Sequence, residues 1–288
     1  MNVLSDSDLS FFKSSGYVVV PNAVPKENRQ ALINALFGFL EMNPGDPGDW
    51  YRPPLTPGGM VELYQHQALW DNRQAPRVHG AFADIFGTEK LWVSVDRANF
   101  KPPFNPAHPE YDHHGFTHWD MDTGSLADTG FREGRFGVQG VLYLTDTTAE
   151  MGGFQCVPGF HNELEAWIES QPADRNIRAP DLSRLPANRA VTPIPGKAGD
   201  LLIWDKRLAH GNGRNLSDAP RLAQFITMFR ADDSRTDFRQ ERVSWWHDRT
   251  PPPYQWVIGD PRERERQQPA AELSPLGRKL LGLDDWGT

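Results

Sequence analysis

The spacing of apolar residues predicts a helical first part of the chain. Apolar side chains recur at helical intervals in three stretches, and Ser5 can cap the first of them. These predicted helices cover Leu4 to Ser14, Pro25 to Glu41 and about residues 68–86. Between the first two, the run GYVVVPNAV from Gly16 predicts a short buried strand that ends at Pro21. The loop at 44–59, rich in proline and glycine, has a length typical of functional or mobile loops.

From Leu91 onwards the pattern changes to the alternation that is typical of strands. The strand candidates are LWVSVDRANF, GVQGVLYLTD, RAVTPIP, GDLLIWD and RLAQFITMFRA. Residues 160–190, between two of them, are predicted to form a partly helical lid, and SPLGRKLLGL from Ser274 predicts a closing helix. Helices first and antiparallel strands later predict an α+β domain built on a β-sandwich or jelly roll.

Composition narrows the class of protein. The 288 residues are 38% hydrophobic and 24% charged, with a net charge of -8, and no basic block favours nucleic acid as a partner. The single cysteine, Cys156, excludes an intrachain disulfide. Neither a signal peptide nor an apolar run long enough for a membrane span is recognisable, so we expect a cytoplasmic protein. The charge run RERERQQ at 262–268 is predicted to be solvated.

The stretch HHGFTHWDMD, residues 113–122, concentrates metal-binding groups. On an extended segment His118 and Asp120 point to the same side, so an imidazole and a carboxylate would share one coordination sphere. His210 is the best candidate for a third ligand, because it follows the predicted strand GDLLIWD and precedes a glycine turn. Two histidines and one carboxylate leave open positions on an octahedral metal, which suits non-haem Fe(II), whereas zinc usually takes four ligands or three and water.

Arg221 lies eleven residues after His210, at the start of a predicted strand. If His210 ends one strand and Arg221 opens the next, antiparallel pairing brings both into one pocket. A guanidinium there can bind a dicarboxylic acid through paired hydrogen bonds. The alternative is a surface ion pair, which is the commoner role of an arginine.

Several motifs, in the same order, resemble those of a known family. LSDSDLSFFKSSGYVVVPNAV corresponds to the opening helix and strand, NFKPP (99–103) to the strand before the metal motif, and HWD to the metal motif itself. MGGFQCVPGFH (151–161) corresponds to a glycine-rich turn, and GDLLIWDKRLAHGNGRNLSDAPR to the distal histidine segment. On these motifs, which span most of the chain, the sequence resembles the phytanoyl-CoA dioxygenase family of Fe(II)/2-oxoglutarate oxygenases. Phe160 stands where serine is common in that family.

The resemblance implies a fold and a division of the chain. The fold is a double-stranded β-helix, the jelly-roll or cupin-like core, with flanking N-terminal helices and a C-terminal helix. It would form one oxygenase domain over residues 1–288. Within it we expect helical support at 1–90, the β-helix core at 91–230 with the lid insert at 160–190, and a C-terminal extension at 231–288.

The resemblance also implies roles for individual residues. Iron would be bound by His118, Asp120 and His210, and the co-substrate 2-oxoglutarate by Arg221. Further contacts with the co-substrate are expected from Asn212, Lys101 and Gln139. As alternatives, Lys101 ends a strand in solvent and Gln139 only pairs across the sheet.

The other groups around these motifs are expected to play different parts. His113 and His114 should flank the pocket mouth, on the surface or in contact with substrate. Asp122 either accepts a hydrogen bond from a histidine N–H or is a simple loop residue. Trp119 should point away from the iron into the core, and His161 should be structural.

The reaction implied by the resemblance couples O2 and the oxidative decarboxylation of 2-oxoglutarate to the oxidation of a C–H bond of a small organic molecule. The most direct outcome is hydroxylation, with release of succinate and CO2, and ascorbate is the expected reductant in vitro. Desaturation, cyclisation or halogenation at the same iron, and a non-catalytic metal- or ligand-binding β-barrel, are the alternatives, with a zinc hydrolase more distant. Halogenases of this iron class carry glycine or alanine at the carboxylate position, so Asp120 favours oxygenation.

No stretch identifies the substrate, and the oligomeric state is also open. We expect a small-molecule partner and neither nucleic acid nor a membrane. The loops 44–60 and 160–190 are expected to line the substrate side. The side chains of these loops suit a substrate with an apolar body and an anionic group, and they equally suit an ordinary polar lid: Trp50, Tyr51, Arg52, Trp167, Arg175 and Arg178.

Overall fold

The computed structural model describes residues 3–112, 114–115, 117–124 and 137–287. Its helices are α1 (Asp6–Ser15), α2 (Lys26–Leu40), α3 (Gln67–Arg73), α4 (Pro76–Phe86), α5 (Leu164–Glu169), α6 (Thr236–Asp248) and α7 (Pro275–Leu281). Its strands are β1 (Tyr17–Val20), β2 (Met60–Val61), β3 (Leu91–Val93), β4 (Ala98–Lys101), β5 (Val138–Tyr143), β6 (Phe154–Cys156), β7 (Thr192–Pro193), β8 (Leu201–Asp205), β9 (His210–Asn212), β10 (Arg221–Phe225) and β11 (Met228–Arg230). The mixture of helices and antiparallel strands confirms the α+β class. Within these residues, no helix has the length and apolar content needed to cross a membrane.

The start of α1 follows the predicted cap. The backbone N–H of Asp8 donates to the hydroxyl of Ser5 at 3.2 Å, and the N–H of Ser5 donates to the Asp8 carboxylate at 2.9 Å. This reciprocal pair satisfies two donors of the helix start. The helix ends at Gly16, whose φ of 82° is in the left-handed region that favours glycine.

The single helix predicted for 68–86 is wrong, because the chain forms α3 and α4 there. Ala75 is extended and Pro76 begins α4. Proline has no N–H to donate to a preceding helix, and it disfavours a helical conformation at the residue before it. The same residue suits the first position of a new helix, so it ends one helix and starts the next.

Two sheets enclose the interior in which the site lies. The large sheet has the order β1-β8-β5-β10-β4-β2 with antiparallel neighbours, and a smaller sheet has the order β7-β6-β9. They face each other across a shared apolar cluster that includes Val141, Tyr143, Leu202, Trp204 and Ala223 of the large sheet with Phe154 and Cys156 of the small one. Leu142, Ile203 and Leu222 point to the other face of the large sheet, which packs against the helices. A third, two-stranded sheet pairs β11 with β3.

Several elements depart from the sequence prediction. The stretches LWVSVDRANF and RLAQFITMFRA each break into two strands, and β2, β6 and β9 are too short for their pattern to be recognised. The helix α6 has no predicted counterpart, because its buried face contains Arg242 beside Trp245. The Arg242 guanidinium donates to the backbone carbonyls of Val93, Leu280 and Leu281. A charged residue on the buried face conceals the apolar periodicity of the helix.

The charge run at 262–268 is not wholly solvated, so that prediction is wrong for Glu265. This residue is 9% exposed and accepts hydrogen bonds from the backbone N–H groups of Tyr64 and Gln65 at 2.8 and 2.5 Å. Burial raises the pKa of its carboxyl group to about 7, against the effect of these hydrogen bonds. The acid therefore fastens the C-terminal part of the chain to the loop after β2.

Candidate metal centre

The segment that carries the H-x-D motif runs beside β9. The backbone N–H of His118 donates to the carbonyl of His210 at 2.7 Å, and the N–H of His210 donates to the carbonyl of His118 at 3.0 Å. This reciprocal pair adds the segment to the edge of the small sheet. It also brings the two imidazoles together, with ring centroids 4.7 Å apart.

The structure brings together His118, Asp120 and His210. The carboxylate oxygens of Asp120 lie 3.4 Å from Nε2 of His118 and 3.4 Å from Nε2 of His210. One ligand atom from each residue lies within 4.8 Å of the other two, a spacing that one metal ion can bridge. The pKa of Asp120 is far below its usual range: burial acts to raise it, but the hydrogen bonds with His118 and His210 outweigh burial. The carboxylate is therefore ionised, as a metal ligand must be.

His210 is firmly oriented by its surroundings. It is 4% exposed, and its ring packs against Phe154 and Trp204 with centroid distances of 5.8 and 5.0 Å. Its Nδ1 donates to the carbonyl oxygen of Leu208 at 2.9 Å, a contact that directs Nε2 toward Asp120. The sequence pattern gives no signal for the contacts of Phe154 and Trp204 with His210, because these residues become neighbours only in the folded sheets.

Gln139 meets this centre through Asp120. Its side-chain N–H donates to Oδ2 of Asp120 at 2.7 Å. Its Oε1 is buried and has no hydrogen-bond partner among the described residues. The alternative in which Gln139 only pairs across the sheet is therefore wrong.

A pair of buried cations lies where β10 pairs with β4. Arg221 and Lys101 face each other in this antiparallel pair and are 2% and 5% exposed. The Lys101 ammonium donates to the carbonyl of Gly213 at 2.5 Å, and the Arg221 guanidinium donates to the carbonyl of Gly152 at 3.2 Å. The two solvent-exposed alternatives, a surface ion pair for Arg221 and a strand end in solvent for Lys101, are therefore wrong.

Burial makes both positive charges costly. Desolvation, together with the neighbouring charge of Arg221, lowers the pKa of Lys101 to about 7. Desolvation also lowers the pKa of Arg221 to about 10. Within the part of the chain that the structure describes, Arg221 makes no salt bridge and its Nε has no hydrogen-bond partner. An anion bound here would gain charge-assisted hydrogen bonds and would offset the repulsion between the two cations.

Asn212 lies between the two groups. It follows His210 by two residues on β9, so both side chains lie on the same face of the small sheet. Its Oδ1 accepts a hydrogen bond from the Arg221 guanidinium at 3.4 Å. β9 therefore connects the histidine of the triad to the cation pair along one interior face.

The neighbouring polar residues of the motif are not part of the triad. His113 lies outside the described residues. The exposed ring of His114 lies 3.3 Å from the carbonyl oxygen of Asp112 and contacts Arg214. The carboxylate of Asp122 accepts the backbone N–H of Gly124 at 2.6 Å, which fits its loop alternative, and no histidine of the described residues is seen to donate to it.

Trp119 and His161 are structural, as predicted. Trp119 is buried and points away from the triad, with its Nε1 donating to the carbonyl of Arg207 at 3.0 Å. Its ring packs against Trp167 at a centroid distance of 6.0 Å. The Nε2 of His161 lies 3.1 Å from the carbonyl oxygen of Lys13, which fixes the turn before α5 against α1.

The tryptophans of the two loops that are expected on the substrate side pack into the protein interior. Trp50 and Trp167 are both buried in apolar clusters. The hydroxyl of Tyr51 donates to a backbone carbonyl at 3.0 Å, and Arg52 forms a salt bridge with Asp49 at 2.5 Å. These four side chains therefore have structural contacts of their own.

The 160–190 insert supports the metal-motif segment directly. The backbone N–H of Trp119 donates to the carbonyl of Arg178 at 2.8 Å. The Arg175 guanidinium donates to the hydroxyl of Thr123 at 2.8 Å. The insert thus holds the motif segment from the side opposite β9, through backbone and side-chain contacts that leave no pattern in the sequence.

Known proteins are similar to this chain in sequence and in fold. It is 25% identical over 263 residues to a putative phytanoyl-CoA dioxygenase of Dictyostelium discoideum, a match that covers 76% of this chain and 74% of the relative. GlcNAc Inducible Gene 2, GIG2 (DUF1479), from Candida albicans matches its fold with a TM-score of 0.73 at 13% identity, over 99% of this chain and 78% of that one. The crystal structure of EctD from S. alaskensis with 2-oxoglutarate and 5-hydroxyectoine matches with a TM-score of 0.53 at 20% identity, over 80% of this chain and 77% of that one.

A family model covers the larger part of the chain. Residues 12–223 match the model of phytanoyl-CoA dioxygenase (PhyH). This range contains the H-x-D motif, the distal histidine and both buried cations, so the resemblance drawn from the order of the motifs is confirmed. The chain belongs to the phytanoyl-CoA dioxygenase family.

Proposed function

We propose that this protein is an Fe(II)- and 2-oxoglutarate-dependent oxygenase that oxidises a C–H bond of a small organic molecule, with His118, Asp120 and His210 as the iron ligands. The observation that carries the proposal is the convergence of two imidazoles and one ionised carboxylate whose ligand atoms lie within 4.8 Å of one another. Family membership supports the same reaction class. We also propose that the two facing sheets form a double-stranded β-helix within one oxygenase domain.

The donor set suits iron better than structural zinc. Two nitrogen donors and one carboxylate leave several coordination positions open, as oxygen-activating iron requires. Within the described residues no fourth histidine, cysteine or acid joins the cluster, whereas a structural zinc site is closed by four ligands. When bound, iron and 2-oxoglutarate would supply decarboxylation to succinate and CO2, coupled through O2 to oxidation of the substrate.

Arg221 and Lys101 would bind the distal carboxylate of 2-oxoglutarate, with Asn212 beside them. A guanidinium presents paired donors that match a carboxylate, and a buried ammonium adds a second charge. The burial of both cations and the absence of an acid partner for Arg221 among the described residues support this role. In EctD, a relative in fold, 2-oxoglutarate is present in the crystal structure.

The surroundings of the triad indicate the direction of substrate approach. Phe154 and Trp204 cover His210 and exclude water from its side of the centre. The side chains of His118 and Asp120 are 27% and 45% exposed, so the centre opens on their side. Substrate and O2 would therefore approach past His118 and Asp120.

Hydroxylation is the outcome that we propose. The carboxylate of Asp120 occupies the position that a halide needs in halogenation, and its negative charge disfavours an added anion. Within the described residues, no contact favours desaturation, cyclisation or a purely binding role over hydroxylation.

Incubation of the purified protein with Fe(II), 2-oxoglutarate, ascorbate, O2 and a panel of small metabolites tests the proposal. We expect succinate from the wild-type protein, increased by its true substrate, and none from His210→Ala. Mass spectrometry of the product would then show the mass of one added oxygen, whereas loss of two hydrogens or a chlorine isotope pattern would identify the alternatives. Wild-type protein that binds iron but forms no succinate under any of these conditions would contradict the proposal.

A further inference from the structure

We propose that Gln139 is a positioning residue that fixes the Asp120 carboxylate for metal binding, and that it does not bind the distal carboxylate of the co-substrate. The inference rests on the proposed iron site and deepens it. It replaces the role expected for Gln139 from the family resemblance.

Asp120 is the member of the triad that most needs such a partner. It lies two positions beyond the bridge residue His118, outside a regular strand, and its side chain is 45% exposed. A carboxylate on such a segment can rotate about its Cβ–Cγ bond. Apart from the two histidines, Gln139 is the side-chain partner that the structure shows for this carboxylate among the described residues.

Gln139 lies on a strand that is paired on both sides. It belongs to β5, which pairs with β8 on one side and with β10 on the other. Directly opposite it on β8 is Trp204, whose ring packs against His210. Two neighbouring positions of the large sheet therefore hold two proposed ligands: Trp204 holds His210, and Gln139 holds Asp120.

The amide has one orientation that fits this role. With its N–H toward Asp120, Gln139 makes a charge-assisted hydrogen bond of 2.7 Å, whereas the reversed amide would set its oxygen against the carboxylate. Its Oε1 has no partner among the described residues. A buried amide that served only the packing of the sheet would usually have both of its polar atoms bonded. The contact with Asp120 is therefore what orients this side chain.

The register of the sheet separates Gln139 from the proposed carboxylate site. Ala223 lies opposite Tyr143, and the same register continued past the end of β5 would set Arg221 opposite residue 145, six residues from Gln139. At about 3.3 Å per residue this is roughly 20 Å along the strand. Gln139 therefore cannot share the carboxylate that Arg221 would bind.

Titration with Co(II) in the absence of 2-oxoglutarate tests the inference. Co(II) is a stable probe of such a site, and its visible spectrum reports the coordination of the metal. Gln139→Met keeps the length of the side chain and removes the donor, and Gln139→Leu is a second donor-free variant. Gln155→Met is the matched control, because Gln155 lies on β6 opposite Gly211 and points away from the interior faced by its neighbours.

We expect Gln139→Met and Gln139→Leu to bind Co(II) about 10- to 100-fold more weakly, the usual effect of losing a partner of a metal ligand. At saturating Co(II) their visible spectrum should differ from the wild type, while the affinity for 2-oxoglutarate and the melting temperature stay unchanged. Gln155→Met should match the wild type in all four measurements.

Three results would overturn the inference. Unchanged Co(II) affinity in both Gln139 variants would show that the residue does not hold Asp120. Weaker 2-oxoglutarate binding with intact Co(II) affinity would make Gln139 a co-substrate contact. A wild-type protein without affinity for Co(II) would overturn the proposed function as well as this inference, so the two failures are distinguishable.

Discussion

The metal-binding half and the anion-binding half of the proposed site are built in different ways. His118 and Asp120 lie on a short segment at the edge of the small sheet, and their side chains are partly exposed. Arg221 and Lys101 lie on paired strands of the large sheet and are almost fully buried. The anion half is therefore fixed by the sheet itself, whereas the metal half depends on hydrogen bonds from its neighbours.

The two halves also differ in the electrostatics of their ligand-free state. At the metal half, the histidines hold the pKa of Asp120 far below its usual range, so the charged form is stabilised. At the anion half, burial lowers the pKa of Lys101 and of Arg221, so the charged forms are destabilised. The metal half already carries the negative charge that a cation needs. At the anion half, the positive charges of Lys101 and Arg221 become favourable only when an anion binds. Variants should therefore separate metal affinity from co-substrate affinity.

The largest effect is expected at the metal half. His210→Ala should abolish Fe(II) binding and turnover, because it removes the imidazole that the backbone pairing with His118 holds near Asp120. His114→Ala should keep both, since its exposed ring contacts Asp112 and Arg214. Calorimetric titration with Fe(II) under anaerobic conditions measures the difference. Tight binding retained by His210→Ala would show that another residue is the ligand.

A large but selective effect is expected at the anion half. Arg221→Met should weaken 2-oxoglutarate binding by ~2–5 kcal/mol, or roughly tens- to thousands-fold, because a buried charge-assisted contact is lost. Fe(II) affinity without the co-substrate should not change. Removal of an unpaired buried charge should leave the fold as stable or more stable. The comparison of the two halves fails if this variant loses iron and 2-oxoglutarate affinity together.

A smaller effect is expected for Lys101→Met, together with a change in pH dependence. Because the pKa of Lys101 is lowered from 10.5 to about 7, the ligand-free ammonium loses its proton above pH 7. The dissociation constant of 2-oxoglutarate should therefore rise as the pH increases above about 7 in the wild type and rise less in the variant. The unfolded chain keeps this proton up to its ordinary pKa, so the contribution of Lys101 to stability increases with pH over the same range. If the dissociation constant of 2-oxoglutarate depends on pH in the same way in both proteins, Lys101 does not bind the co-substrate and its role is structural.

The smallest effect on the site is expected from Glu265, which lies in the C-terminal part of the chain. Glu265→Gln should lower the free energy of unfolding by about 1–3 kcal/mol, because one backbone N–H at Tyr64 or Gln65 loses its acceptor. The raised pKa means that the wild-type contribution is present at low pH and is lost as pH rises through about 7. Urea denaturation and Fe(II) titration should show lower stability with unchanged metal affinity.

The sequence predicts what depends on local spacing. The i, i+2 geometry of His118 and Asp120, the cap at Ser5 and the main strands all follow from patterns of a few residues. Their positions beside predicted strands select His210 and Arg221, and the order of the family's motifs supports both residues. The break at Pro76 is visible in the sequence, yet the apolar periodicity that continues across it favours one long helix.

The rest depends on contacts between distant segments. The burial of Lys101 follows from its pairing with Arg221, and the contact of Gln139 with Asp120 follows from the meeting of β5 and the motif segment. Trp167 lies in the predicted lid, where a large aromatic ring could contact substrate, yet its ring packs against Trp119. Such contacts are set by the register of strands and the path of the insert, which local periodicity does not encode.

Anaerobic titration of the Fe(II)-loaded protein with 2-oxoglutarate tests the central claim most directly, because a 2-oxo acid that chelates iron produces a visible charge-transfer band. We predict this band in the wild type, its absence in His210→Ala, and its appearance only at much higher 2-oxoglutarate concentrations in Arg221→Met. A wild-type protein that binds no Fe(II), or that gives no band at any concentration of 2-oxoglutarate, would contradict the account.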